Sequence, residues 1–135
     1  MQLADAPIDV DPLFLDSALT NVLENALKHT PPYALVRISA RELPGEPFLR
    51  VSVEDAGMGV PPESIDRLFA KFYRVPGRDQ GSRSGTGIGL AVVRGLVEAF
   101  GGRAQARRSE LGGLAIDLDL PTTTVPAELM AGAAG

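Results

Sequence analysis

The clearest candidate for chemistry in this sequence is a set of three glycines at the start of an apolar helical pattern. Residues 85–90 are Gly-Thr-Gly-Ile-Gly-Leu, and residues 75–84 before them are polar and lack a strand pattern. The glycines therefore fall where a loop becomes the first turn of a helix. Such a turn offers unpaired backbone N–H groups and a partial positive charge, and glycines let a phosphate approach them closely. The stretch predicts a phosphate site, and a glycine-rich helix start that serves packing alone is the alternative.

Two other glycine motifs fit this stretch poorly. A Walker A loop needs a Lys and then a Ser or Thr after its second glycine, and neither stands in that register. A dinucleotide-binding fingerprint needs a strand directly before it and a glycine at its sixth position, which is Leu90 here.

Three polar side chains form a row on the first predicted helix. Asn21, Asn25 and Lys28 are spaced by four and three positions, so they share one face of a helix. Asn is a poor helix former, which makes two of them in one row unusual. Carboxamide oxygens can ligate Mg²⁺, and a lysine can neutralise phosphate. An ordinary solvated face is the alternative.

An acidic residue stands at the end of a predicted strand. Asp55 is followed by Gly57 and Gly59, which is turn chemistry of the kind that lines pockets. A turn with a solvated Asp is the alternative.

An aromatic cluster precedes the glycine-rich stretch. Phe69, Phe72 and Tyr73 are followed by Arg74. Their spacing favours packing in the core, and we interpret them as a hinge for the loop beyond. Residues 75–84 hold two Gly, one Pro and two Arg, which predicts a flexible lid over a ligand.

Periodicity and turn residues predict the elements that must position these side chains. Asp followed by Pro starts a helix, and strict alternation of apolar and polar residues indicates half-buried strands. The first predicted helix runs from Asp11-Pro12 to about His29, and its apolar face consists of Leu15, Leu19, Val22, Leu23 and Ala26. It is followed by a hairpin of strands over 35–42 and 49–54 and by a short helix from Pro62 to about Phe69. A long helix from about Ile88 to Phe100 ends at Gly101-Gly102, and strands 103–108 and 114–120 form a closing hairpin around Gly112-Gly113. Residues 1–10 are compatible with an edge strand. This order predicts an α+β two-layer sandwich, with helices on one face of a mixed, mostly antiparallel sheet.

Composition limits the class of protein. The 135 residues suit one domain with a core, and 44% of them are apolar. No apolar run approaches the length of a membrane span, and no signal-peptide pattern is present. The lack of cysteine excludes disulfides and thiolate metal sites, and the single histidine excludes a multi-histidine metal site.

Charge is unevenly distributed along the chain. The net charge is −4, yet nine of the 13 basic residues fall within residues 67–108, against two acids there. Overall acidity argues against a nucleic-acid surface, and the local basic excess suits a compact anion such as a triphosphate. An ordinary solvated face is the alternative.

Four motifs occur in a fixed order: Asn-x-x-x-Asn-Ala-x-Lys at 21–28, Asp-x-Gly-x-Gly at 55–59, Phe-x-x-Phe-Tyr-Arg at 69–74 and Gly-x-Gly-x-Gly-Leu at 85–90. In this order they resemble the N, G1, F and G2 boxes of the ATP-binding domain of sensor histidine kinases. That domain belongs to a superfamily shared with type II topoisomerase ATPases, Hsp90 and MutL. The resemblance covers about residues 11–120 and implies the Bergerat fold, a two-layer sandwich.

The resemblance implies an adenine-binding role for one group of residues. Asp55 would accept a hydrogen bond from the adenine amino group, and Gly57, Gly59 and Val60 would shape the purine slot. His29 falls where the family commonly has an aromatic residue beside the adenine.

A second group is implied at the phosphates. Asn25 would ligate Mg²⁺, Asn21 and Lys28 would lie near the phosphates, and Arg74 would reach the terminal phosphate. Asn21, Lys28 and Arg74 are thereby the predicted catalytic residues. The helix-start amides would come from Gly85, Thr86, Gly87, Ile88, Gly89 and Leu90.

One position discriminates between activities within the superfamily. Its ATPases and serine kinases carry a glutamate as general base four residues before the Mg²⁺-binding Asn, and that position is Asn21 here. Because a carboxamide has no useful basicity near neutral pH, histidine phosphorylation is favoured over ATP hydrolysis. The alternatives are an ATPase or serine-kinase-like module, a non-catalytic ATP-binding adaptor and, at a greater distance, a dinucleotide-dependent oxidoreductase.

The resemblance also implies partners outside this chain. Such kinases carry the phosphoacceptor histidine on a separate helical-hairpin dimerisation domain, and His29, in the nucleotide wall, is not expected to accept phosphate. We expect residues 1–121 to form the catalytic domain and 122–135 a flexible tail. The expected partners are the parent kinase's hairpin domain and a response-regulator receiver domain, with no nucleic acid and no membrane contact. We expect a cytoplasmic, monomeric domain, whatever the membrane topology of its parent.

Overall fold

The computed structural model describes residues 8, 10–29, 31, 34–70 and 89–122. Within these residues the elements are α1 (Pro12–His29), β1 (Val36–Glu42), β2 (Phe48–Asp55), α2 (Pro62–Ile65), α3 (Gly89–Ala99), β3 (Arg103–Arg108) and β4 (Leu114–Pro121). None of the described helices combines the length and the apolar character that a membrane span needs.

The four strands form one sheet in the order β1-β2-β4-β3. Every neighbouring pair is antiparallel, with Val36 opposite Asp55 and Val53 opposite Ile116. The two predicted hairpins are therefore present, and they join along β2 and β4. The predicted α+β sandwich with a largely antiparallel sheet is confirmed.

Helices α1 and α3 cover one face of this sheet. Phe14 at the start of α1 stacks on Phe100, just beyond the end of α3, with ring centroids 6.1 Å apart. The two helices therefore run in opposite directions. As predicted, Val22 and Ala26 on α1 are buried, and the leucines of the same helix face pack against the buried cluster. The rest of the buried cluster comes from α1, α3, the strands and the segment after α2: Ala18, Val53, Phe69, Leu90, Val93, Val97, Ala104, Leu114, Ile116, Leu118 and Leu120.

On the opposite face of the sheet, the described part of the chain places charged side chains and no further helix or strand. Arginines from β1, β2 and β3 pair with carboxylates on β2 and β4. Alternation in the sequence correctly predicts that Asp117 and Asp119 point away from the helices. They are nevertheless buried, at 2% and 0% exposure, beneath the arginines. We call this set the outer-face ion network: Arg37, Arg50, Glu54, Arg103, Arg107, Asp117 and Asp119.

Helix ends agree with the sequence signals at α1 and α3. The Asp11 carboxylate accepts a hydrogen bond from the Leu13 N–H at 2.9 Å, which makes it the N-cap of α1. Helix α3 ends at the predicted glycine pair: Gly101 has φ +87°, and the Gly102 N–H donates to the Val97 carbonyl at 2.9 Å.

The predicted end of α2 is wrong. The helix ends at Ile65, four residues before Phe69. Beyond it, the N–H groups of Arg67, Leu68 and Ala70 bond to carbonyls three residues earlier, so the chain continues as tight turns. Of the ambiguous N-terminal stretch, the described Ile8 forms an isolated antiparallel bridge with Thr122. Residues 123–135, the predicted tail, lie outside the described residues.

Candidate functional site

The carboxylate of Asp55 is buried at the end of β2, on the face of the sheet that carries the helices. Only 5% of the residue is exposed. Its Oδ1 atom accepts hydrogen bonds from the backbone N–H of Gly57 at 2.9 Å and of Leu114 at 3.2 Å. Its Oδ2 atom has no hydrogen-bond partner among the described residues. A buried polar atom without a partner is costly, so Oδ2 is a candidate acceptor for a ligand.

The turn between β3 and β4 packs directly against Asp55. The Gly113 N–H donates to the Asp55 carbonyl at 3.1 Å. A Cβ added to Gly113 would overlap the Asp55 Oδ1 atom, and it would also crowd the Gly57 nitrogen. Sequence reasoning identified this glycine only as a turn residue. The paired glycines 112–113 mark the turn, but nothing in the sequence indicates which carboxylate it meets.

The loop after Asp55 closes on the same turn. Gly59 has φ +73°, a backbone conformation that favours glycine. A Cβ there would lie 3.3 Å from the Gly112 carbonyl oxygen. Val60 follows and packs against the hydrophobic core. The predicted purine-slot residues Asp55, Gly57 and Gly59 are therefore brought together.

The polar row on α1 meets the start of α3. Asn21 donates from Nδ2 to the Ser17 carbonyl at 2.8 Å, which directs its amide along the helix. A Cβ added to Gly89 would lie 3.5 Å from Asn21 Oδ1, so the N-box and G2-box segments are neighbours. Asn25 is half-buried and Lys28 is exposed. Leu90, the last residue of the G2 box, is buried in the core.

Chain connectivity brings α1 to the sheet end that carries Asp55. Helix α1 ends at His29, and β1 begins at Val36, directly opposite Asp55 in the sheet. The Ala56 N–H also donates to the Leu35 carbonyl at 3.0 Å.

Several predicted site residues lie outside the described part of the structure. The side chain of His29 is one of them, although its backbone ends α1. The others are Phe72, Tyr73, Arg74, Gly85, Thr86, Gly87, Ile88 and the predicted lid at residues 75–84. Their predicted roles stay predictions.

A charged residue next to Asp55 points to the other face of the sheet. The Glu54 carboxylate is bound by Arg37, at 2.7 Å, and by Arg107, at 3.4 Å. Burial acts to raise the pKa of Glu54. The hydrogen bond from Arg37 and the positive charges of Arg107 and Arg37 outweigh burial, so this pKa lies below its ordinary value. Glu54 is therefore ionised at neutral pH and tied to β1 and β3.

A surface cavity of about 130 Å³ lies beside these loops. Its lining includes Gly59 and Val60, together with Met58, Ile65 and Arg108, but neither Asp55 nor the polar row on α1. The cavity thus borders the predicted purine-slot loop and the turn at Gly113, but it does not include the Asp55 carboxylate or the predicted phosphate residues on α1.

Comparison with known proteins identifies the family. The family model for histidine kinase-, DNA gyrase B-, and HSP90-like ATPases matches residues 10–124. The chain belongs to this family. The family relationship predicted from the four boxes is confirmed, and with it an ATP-binding fold.

Two similar relatives within the family are sensor kinases. The probable sensor kinase SilS of Salmonella typhimurium is 41% identical over 98 residues, covering 73% of this chain and 19% of SilS. The sensor histidine kinase WalK of Bacillus subtilis is 34% identical over 117 residues, covering 87% of this chain and 19% of WalK. The chain thus spans about a fifth of the length of these relatives.

Solved structures of sensor histidine kinases share the fold. The mycobacterial sensor histidine kinase MprB superposes with a TM-score of 0.78 at 28% identity, covering 92% of this chain and 84% of that one. Full-length ShkA in complex with AMPPNP gives a TM-score of 0.70 at 32% identity, covering 93% of this chain and 26% of ShkA.

Proposed function

We propose that this chain is the catalytic ATP-binding domain of a sensor histidine kinase. It binds Mg·ATP and donates the γ-phosphate to a histidine on a separate helical-hairpin domain of its parent protein. The observation that supports this most directly is the Asp55 carboxylate, which is buried and has one oxygen committed to two backbone N–H groups.

The two oxygens of Asp55 have different tasks in this proposal. Oδ1 is held by the N–H groups of Gly57 and Leu114, which fixes the plane of the carboxylate. Oδ2 is left to accept a hydrogen bond from the 6-amino group of adenine. A purine with a carbonyl at that position would place an acceptor against an acceptor, so the same geometry disfavours guanine.

The polar row on α1 and the start of α3 serve the phosphates in this proposal. Asn21 lies beside Gly89, where the first N–H groups of α3 offer a site for anions. Lys28 is exposed near the end of α1 and contributes positive charge.

The donor set for a metal is sparse. No group of three or more His, Cys, Asp or Glu side chains among the described residues could hold a metal ion. A carboxamide oxygen such as that of Asn25 suits Mg²⁺, which keeps several waters and phosphate ligands. When bound, Mg²⁺ would neutralise charge on the β- and γ-phosphates.

The resemblance to ATPases of the superfamily assigns one position to a general base that activates water, and this chain has no basic side chain at that position. A carboxamide stands there, Asn21, and it cannot take a proton near neutral pH. This supports transfer to a protein nucleophile that needs no deprotonation, such as a neutral imidazole. Because His29 is the single histidine, the acceptor belongs to a separate domain. We further propose that a response-regulator receiver domain takes the phosphate onward, and that the chain works in the cytoplasm.

Binding tests the nucleotide part of this proposal. We expect calorimetry to show that a non-hydrolysable ATP analogue binds with Mg²⁺ and binds more weakly without it. Asp55→Asn should weaken binding by about 10- to 100-fold, because the Asn side chain can present its NH2 group, a donor, to the adenine amino group, which is also a donor. Glu42→Gln, the same chemical change at an exposed position at the far end of β1, should leave affinity unchanged. Equal affinities for all three proteins would contradict the role of Asp55.

Transfer is tested by adding the parent's helical-hairpin domain. The chain alone with Mg·ATP should form no phosphohistidine and release little phosphate, whereas the mixture should phosphorylate the hairpin. Stable phosphohistidine on this chain by itself would contradict the proposal, and rapid phosphate release would favour the ATPase alternative.

A further inference from the structure

The last two residues of β2, Glu54 and Asp55, contact the same turn from opposite faces of the sheet. Successive side chains of a strand point to opposite faces, so Asp55 faces the helices while Glu54 belongs to the outer-face ion network. Both reach the turn at residues 109–113. The Glu54 side chain is only 4% exposed.

Glu54 holds the first half of this turn. Its Oε1 atom accepts a hydrogen bond from Ser109 Oγ at 3.3 Å. Arg37 and Arg107 hold the carboxylate from β1 and β3. A carboxylate with this many donors is a fixed anchor rather than a mobile surface group.

Asp55 contacts the second half of the turn. The Gly113 N–H donates to its carbonyl, and the Leu114 N–H donates to its Oδ1 atom. Bonds within the turn connect the two halves. The Leu111 N–H donates to Ser109 Oγ at 2.9 Å, and the Ser109 N–H donates to the Gly113 carbonyl at 2.9 Å. These bonds connect Ser109 to Gly113, the residue directly before Leu114.

We infer that Glu54 is a positioning residue for nucleotide recognition: by anchoring Ser109 it helps to place the Leu114 N–H that orients the Asp55 carboxylate. The terminal torsion of an Asp side chain is soft. Without the Leu114 N–H, Oδ1 would keep only the Gly57 N–H. The direction of Oδ2 would then be less tightly fixed, and the adenine amino group would have a less well aligned acceptor. The inference rests on the proposed function, since it extends the role of Asp55.

The test compares two nucleotides that differ only in the amino group. Affinities of the 135-residue chain are measured for Mg·ATP and for Mg·purine riboside triphosphate, which lacks the 6-amino group. Glu54→Ala should weaken ATP binding about tenfold and the analogue by less than about twofold. Glu54→Gln should recover most of the loss, because its carboxamide oxygen can still accept a hydrogen bond from Ser109 Oγ.

A matched control removes a carboxylate from the same ion network but far from the turn. Asp119 is fully buried between Arg50 and Arg103, five residues along β4 from Leu114 and thus about 17 Å away. Asp119→Asn should lower the melting temperature without changing the ratio of the two affinities. Ser109→Ala removes one hydroxyl from the turn. Like Glu54→Ala, it should reduce the preference for ATP over the analogue. It replaces Glu54→Ala in the test if that variant fails to fold.

The outcomes separate this inference from the proposed function. Wild-type protein that binds both nucleotides equally would overturn the adenine-reading role of Asp55 and this inference with it. Wild-type preference for ATP, with an unchanged affinity ratio in the Glu54→Ala or Ser109→Ala variants that fold, would overturn only the positioning role of Glu54. The positioning role of Glu54 would also be overturned if Asp119→Asn reduced the preference for ATP over the analogue as much as Glu54→Ala does.

Discussion

At the scale of single residues, position 113 has no room for a side chain, and the backbone conformation of the turn is not the reason. A Cβ added to Gly113 would overlap the backbone and carboxylate of Asp55 and crowd the Gly57 nitrogen. The neighbouring Gly112 has φ +100° and open space where a Cβ would stand, so it is needed for backbone conformation. Gly113 is needed because a side chain would push the turn off the buried carboxylate.

Substitution of Gly113 should therefore cost both stability and nucleotide affinity. We expect Gly113→Ala to lower the free energy of unfolding by about 1–3 kcal/mol through overpacking and to weaken binding of the ATP analogue. Gly95→Ala is the matched control: Gly95 is exposed within α3 with nothing near its Cα. That change should raise the free energy of unfolding by about 0.5–1 kcal/mol. Urea denaturation and calorimetry measure both quantities, and a neutral Gly113→Ala would refute the close contact.

Residue-scale prediction from sequence succeeds where the chemistry lies within one segment. Spacing alone placed Asn21 and Asn25 on one helix face, and the Asp55 motif at a strand end. It missed Gly113 and Glu54, because their importance depends on a turn that is more than 50 residues away from β2 along the chain. No local pattern encodes that contact.

At the scale of elements, the start of α1 depends on a single side chain. Asp11 accepts the Leu13 N–H and so satisfies one of the donors that a helix start leaves unpaired. We expect Asp11→Ala to lower the free energy of unfolding by about 1 kcal/mol, and Asp11→Asn to lower it by much less. Asp16→Ala, at an exposed position inside the same helix, provides the control. Equal losses at both positions, measured by urea denaturation, would contradict the capping role.

Element boundaries were predictable where caps and alternation mark them. The Asp-Pro pair gave the start of α1, and the glycine pair gave the end of α3. The short helix α2 was predicted too long, because the chain after Ile65 keeps turning with three-residue bonds, which a helical pattern does not distinguish from an α-helix.

At the scale of the whole molecule, the outer-face ion network joins all four strands. Arg37 links β1 to Glu54 on β2, Arg107 links β3 to Asp117 on β4, and Arg50 links β2 to Asp119 on β4. The alternating sequence predicts a single buried face, and these charged residues lie on the other one. The long arginine side chains cover the carboxylates of Glu54, Asp117 and Asp119 and bury them. This arrangement arises only when the strands pair in the correct register.

This network should make the fold sensitive to acid. The Glu54 pKa is held below its ordinary value of about 4.5, so the folded state releases the Glu54 proton more readily than the unfolded chain does. The stabilisation is therefore complete above that ordinary value, and it is lost as the pH falls through the lower folded-state pKa. We expect the free energy of unfolding of the wild-type protein to decrease below about pH 4.5. Glu54→Gln should have a lower free energy of unfolding at neutral pH, and this free energy should decrease less steeply with falling pH. Urea denaturation from pH 7 to pH 3 measures these slopes, and a Glu54→Gln slope equal to that of the wild type would show that Glu54 titrates alike in both states.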